Sequence, residues 1–135
     1  MSVKMELHQI IISDMQESQI IVLREVDGER KFHIVIGTTE AHAIDRRLKG
    51  VLPPRPQTHD LLASVIDVLG ATLDRIEITR LEHRTFYASL HIRQGTGKNP
   101  TTHEIDSRPS DAIALGIATG VPIFVAEQVL QAAAG

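Results

Sequence analysis

Thr85-Phe86-Tyr87-Ala88-Ser89-Leu90-His91-Ile92-Arg93 alternates without a break. Phe86, Ala88, Leu90 and Ile92 fall on one side, and Tyr87, Ser89, His91 and Arg93 on the other. A period of two marks a half-buried strand, one face on a core and one in water. Such strands belong to antiparallel sheets more often than to parallel ones, whose strands are apolar throughout. Upstream, Leu73 to Leu81 alternates loosely, so the two segments read as a hairpin turning near Glu82-His83. Downstream, Gln94 to Pro100 contains Gly95, Gly97 and Asn99 and reads as a flexible loop. Thr101 to Asp106 then reads as a short edge strand.

The N-terminal third is also β. Val3, Met5 and Leu7 alternate with Lys4, Glu6 and His8, and Ile10 to Ile12 follows. Ser13 to Ser18 is a polar turn, and Ile20 to Val26 is β-branched enough for a buried strand. Asp27-Gly28 signals a two-residue hairpin into Phe32, Ile34 and Ile36, which share a face. Helical spacing enters at Ala41, Ile44 and Leu48, after a cap at Thr38 or Thr39. A proline-rich link, Pro53 to Pro56, leads to a second helix capped by Thr58 and closed by Gly70. Its broad apolar face of Leu61, Leu62, Val65, Ile66 and Leu69 predicts a core helix, with Leu62, Val65 and Leu69 buried. Pro109 opens a third helix ending at Gly120, Ile123 to Val125 is a short buried strand, and Glu127 to Ala134 is a last helix. The order βββ-αα-βββ-α-β-α predicts one α+β domain over residues 1–135, a mostly antiparallel or mixed sheet covered by helices.

Composition narrows the function. The 135 residues include 17 acids against 14 bases, so a basic nucleic-acid coat is not the design. The absence of cysteine excludes zinc ribbons, disulfide scaffolds and thiol catalysis, and it suits a cytoplasmic protein. No stretch approaches the ~18 apolar residues of a membrane span. Gly95-x-Gly97 is neither a Walker loop nor a dinucleotide fingerprint, and no Gly-x-Ser-x-Gly elbow occurs. The seven histidines include no His-Glu-x-x-His; His8, His33, His83, His91 and His103 read as outward strand or turn residues.

Three clusters sit at helix starts: Gly37-Thr38-Thr39-Glu40-Ala41, Pro54-Arg55-Pro56-Gln57-Thr58-His59-Asp60-Leu61-Leu62, and Asp106-Ser107-Arg108-Pro109-Ser110-Asp111-Ala112. Each puts an acid in a first turn, where the helix dipole favours it. Capping alone accounts for such residues, at about 0.5–2 kcal/mol each. If the three converge, they can also hold a divalent cation and a phosphate together.

With Ile34-Val35-Ile36-Gly37 before the first cluster, Phe86-Tyr87-Ala88-x-Leu90 in the middle and Pro122-Ile123-Phe124-Val125 near the end, these blocks resemble the bifunctional nuclease family over residues 34–125. A tryptophan common in that family before Ile-Gly is Val35 here. The resemblance implies hydrolysis of both DNA and RNA by an α+β domain that pairs with itself, hence a homodimer. Cleavage of DNA excludes obligatory attack by a 2′-hydroxyl, so water must be activated. Expected metal ligands, for Mg²⁺ or Mn²⁺, are Glu40, Asp60 and Asp111. Expected catalytic residues are His59, Asp60 and Asp111, with His59 as general base or acid. Arg55 and Arg108 are the expected phosphate clamps. The alternative is a non-enzymatic regulatory or interaction module, whose helix starts bind a small anion or a protein partner.

Overall fold

The backbone of the computed structural model is described for residues 1–95 and 97–134. Three strands come first: β1 (Ser2–Ile11), β2 (Ser18–Glu25) and β3 (Lys31–Gly37). Helices α1 (Thr38–Leu48) and α2 (Thr58–Val68) follow, then β4 (Ala71–Glu82), β5 (Thr85–Gln94) and β6 (Thr101–Ser107). The chain ends with α3 (Pro109–Thr119), β7 (Ile123–Ala126) and α4 (Glu127–Ala134). This is the α+β order that the alternation predicts.

Among the described residues, seven strands form one mixed sheet in the order β3-β2-β1-β7-β4-β5-β6. Every neighbouring pair is antiparallel except β4 and β7. The late strand β7 thus sits at the centre and joins the two hairpin-built halves. The sheet curls strongly. Phe32 of β3 and Phe86 of β5 meet with ring centroids 5.6 Å apart, although four strands lie between theirs in the sheet order. Loose alternation in β4 has a local cause: the register slips at Leu73/Arg75 and again at Ile78/Arg80.

Two turns differ from expectation. His83 and Arg84 form the β4–β5 turn with φ of 50° and 65°. Two successive left-handed residues match the twist of a tight hairpin even without glycine. The β2–β3 connection is longer than Asp27-Gly28 suggests, running from Val26 to Arg30. Arg30 explains the length, because its guanidinium bridges Glu25 (Nε to Oε1, 2.7 Å) and Glu127 at the start of α4 (Nη1 to Oε2, 2.9 Å). That bridge ties the hairpin to the last helix.

The core gathers Ile21, Leu23, Phe32, Ile34, Ile44, Ile76, Ile78, Leu90, Ile113, Leu115, Val125 and Leu130. Helix α3 is buried along most of its length, with Gly116 turned toward the side chain of Ile76. Helix α2 breaks the expectation. None of its residues is buried, and Leu62, Val65 and Leu69 remain 40%, 44% and 66% exposed. The helix leans on α3 and one side of β4, and its apolar face looks across open space at β6. Amphipathic spacing identified the face correctly; it carries no information about whether another element covers it.

Candidate active site

Helices α1 and α3 lie side by side with their N-termini together. Glu40 Oε1 is 3.4 Å from Arg108 Nη2 at one end, and Arg47 Nη2 donates to the Ala118 carbonyl at 2.9 Å near the other. Two positive dipole ends are therefore adjacent, an arrangement that favours acids. Gly37, Gln57 and Arg108 occupy the cap positions of α1, α2 and α3, so Glu40, Asp60 and Asp111 are each the third residue of a helix. Thr38 and Thr58 are first helical residues rather than the caps their hydroxyls suggest.

The same position has two uses. In α2, Asp60 Oδ2 accepts from the Gln57 amide at 3.0 Å, the reciprocal half of a capping box. Asp60 Oδ1 lies 3.4 Å from His59 Nε2. At α1 and α3 the acids turn instead to one guanidinium. Arg108 donates from Nε to Asp111 Oδ2 at 2.8 Å and from Nη2 to Asp111 Oδ1 at 3.1 Å, with Glu40 beside the same Nη2. Asp111 first, then Glu40, raises the Arg108 pKa further above its already high value, so the group stays charged. Gly37 permits this: a Cβ there would overlap Glu40 Oε2.

These groups stand at the mouth of a groove of about 1340 Å³ between α2 and β6. Glu40, Thr58, His59, Arg108 and Asp111 line it at this end, and His59 keeps a side chain only 15% exposed. The walls are apolar, with Leu62, Val65 and Leu69 facing Leu90, Ile92 and Ile105. His103 and Gln94 line the groove as well, Nε2 to Oε1 at 3.3 Å. His103 thus points inward rather than outward; it pairs with Ile92, whose side is the core side.

Of the expected site residues, Glu40, His59, Arg108 and Asp111 share this groove. Arg55 is exposed on the proline-rich link and lies outside the groove lining, and Asp60 serves its own helix. Among the described residues, no three His, Asp or Glu gather closely enough to hold a metal ion. As arranged, the three expected ligand carboxylates do not fit one cation: Arg108 supplies the positive charge between Glu40 and Asp111, and Asp60 faces elsewhere. Leu62, Val65, Leu69, Leu90 and Ile92 have the sequence signature of a core, and only the gap between α2 and β6 makes them groove walls.

Residues 21–135 match the bifunctional nuclease domain model, and the chain belongs to that family. It is 40% identical over 124 residues to an uncharacterised protein of Mycobacterium tuberculosis, covering 92% of this chain and 71% of that one. It is 26% identical over 115 residues to bifunctional nuclease 1 of Oryza sativa, covering 84% of this chain and 34% of the rice protein.

Proposed function

We infer that this protein hydrolyses phosphodiester bonds in DNA and RNA at the mouth of the α2–β6 groove. The carrying observation is the joint placement of His59, Arg108, Glu40 and Asp111 there, in a chain of the bifunctional nuclease domain family. Arg108 offers its planar fork to phosphate oxygens, exchanging the longer Glu40 contact while Asp111 keeps the guanidinium in place. His59, held beside Asp60, takes a proton from the attacking water and returns it to the leaving oxygen. The apolar walls supply surface for the faces of unpaired bases. Arg108 already engages both oxygens of Asp111 and one of Glu40, so the proposed steps run through Arg108 and His59 and none through a metal ion.

The test is purified protein with labelled single- and double-stranded DNA and RNA, in Mg²⁺, Mn²⁺ or EDTA. Cleavage of both nucleic acids supports the reading; no cleavage under any condition overturns it. EDTA sensitivity decides the metal. A cytoplasmic location belongs to the same proposal, supported by the cysteine-free sequence. Among the described residues no helix is long and apolar enough to cross a membrane.

The interaction-module reading has its own support, the exposed apolar side chains of α2. A homodimer suits them. Leu61 and Val68, seven residues apart along α2, are 58% and 81% exposed and would pair with a second copy. Light scattering at micromolar concentration giving the 14.9 kDa of one chain would overturn the dimer.

A further inference from the structure

Among the described residues, strand β6 closes one end of the sheet order, paired with β5 alone. Its other edge leaves a row of backbone N–H and C=O groups free to pair with a further strand. Thr101 to Asp106 are all exposed, including Ile105 at 47%, which points inward beside Leu90 and lines the groove. An open edge with an exposed apolar side chain, flush against an apolar groove, is a surface that edge protection would normally remove.

The two sides of β6 specify what fits. Register with β5 puts Thr101, His103 and Ile105 on the groove side, and Thr102, Glu104 and Asp106 on the opposite side, with Asp106 also reaching the groove rim. A strand added to this edge would place alternate side chains into the groove, against Leu62, Val65 and Leu69, and the others beside Glu104 and Asp106. The first set must be apolar and the second basic. Glu104 already faces an imidazole of its own sheet, His91 Nδ1 at 3.5 Å.

We propose that the β6 edge binds an extended segment of a partner protein in which apolar and basic residues alternate, completing the sheet and closing the groove. A second copy fits less well. Two β6 strands side by side would set acids against acids, which is unfavourable across a sheet. The opposite edge strand, β3, carries Lys31 and His33 on its outer side, but its Phe32, Ile34 and Ile36 are buried in its own core and cannot enter the groove. Pairing at this edge would take place whether or not the groove mouth cleaves nucleic acid.

The experiment uses the whole chain and a fluorescent acetylated peptide, Lys-Val-Lys-Ile-Lys-Val-Lys-amide, beside its glutamate-for-lysine counterpart. Fluorescence anisotropy should show saturable binding of the lysine peptide at least tenfold tighter than of the glutamate peptide. Hydrogen exchange should show new protection confined to 101–107. The double variant Glu104→Lys, Asp106→Lys changes exposed residues only, and its circular dichroism should match wild type; its preference between the two peptides should reverse. No saturable binding, or equal binding of both peptides by wild type, overturns the proposal. So does protection at β3 instead, or concentration-dependent assembly without peptide that protects β6, which would make a second copy the occupant.

Discussion

Arg108 and Asp111 form a two-point pair across three residues, Nε to Oδ2 at 2.8 Å and Nη2 to Oδ1 at 3.1 Å. The pair spans the cap and third residue of α3, and Glu40 from α1 completes it. Both partners are substantially exposed, 66% and 51% for their side chains, so the pair contributes little to stability. Its geometry positions the guanidinium at the groove mouth.

Gly37→Ala should separate the two carboxylates. The new Cβ would overlap Glu40 Oε2 and displace that carboxylate from Arg108, leaving the Asp111 pair intact. The flexible end of a glutamate moves easily, and alanine is the poorer cap, so urea denaturation should show a loss of about 0.5–1 kcal/mol. Freed of one acid, Arg108 should bind single-stranded DNA more tightly. Weaker binding would assign Glu40 a direct part in holding the ligand.

Asp60→Ala should cost about 1 kcal/mol by removing half of the α2 capping box. Asp60→Asn should recover most of it, since an amide oxygen still accepts from the Gln57 amide. Cleavage by the Asn variant should stay within about tenfold of wild type, because His59, Arg108, Glu40 and Asp111 are untouched and an amide oxygen can still stand beside His59. Complete loss of metal-dependent cleavage with the fold intact would restore Asp60 to the ligand set.

Leu62→Ala should cost well under 2 kcal/mol, because the side chain is 40% exposed. Leu115→Ala, at a fully buried position of α3, should cost about 2–5 kcal/mol. Denaturation midpoints with unchanged slopes decide this. Equal costs would mean that the groove is closed in solution.

Glu25 should contribute to acid unfolding. Arg30, by its side-chain hydrogen bonds, holds the Glu25 carboxyl below its ordinary pKa of 4.5. A depressed folded-state pKa adds stability that is fully present above 4.5 and fades as pH falls through the folded value. Glu25→Gln should therefore lower stability at pH 7 and flatten its fall below pH 4.5. Parallel stability curves for wild type and variant would show that the bridge carries no such coupling.

Period two is legible in β1, β3 and β5 because one side of each of these strands is more buried than the other. The central place of β7 is not: Ile123 to Ala126 is short, and its pairing with β1 and β4 is entirely long-range. Threonine is a common cap, yet at α2 Gln57 with Asp60 makes the capping box. At the site, residue types were legible and their meeting was not. Glu40 and Arg108 are 68 residues apart, and only the packing of α1 on α3 brings them together. The same packing leaves Arg55 outside, although its proline neighbours resemble those of Arg108.

The decisive measurement is on Arg108→Ala, with cleavage of labelled single-stranded DNA and RNA followed beside wild type purified identically. Wild type should cleave both. The variant, with circular dichroism and melting unchanged, should lose cleavage by about 100-fold or more, as when an oriented charge donor is removed from a phosphoryl site. Cleavage by the variant at the wild-type rate would contradict hydrolysis at the groove mouth.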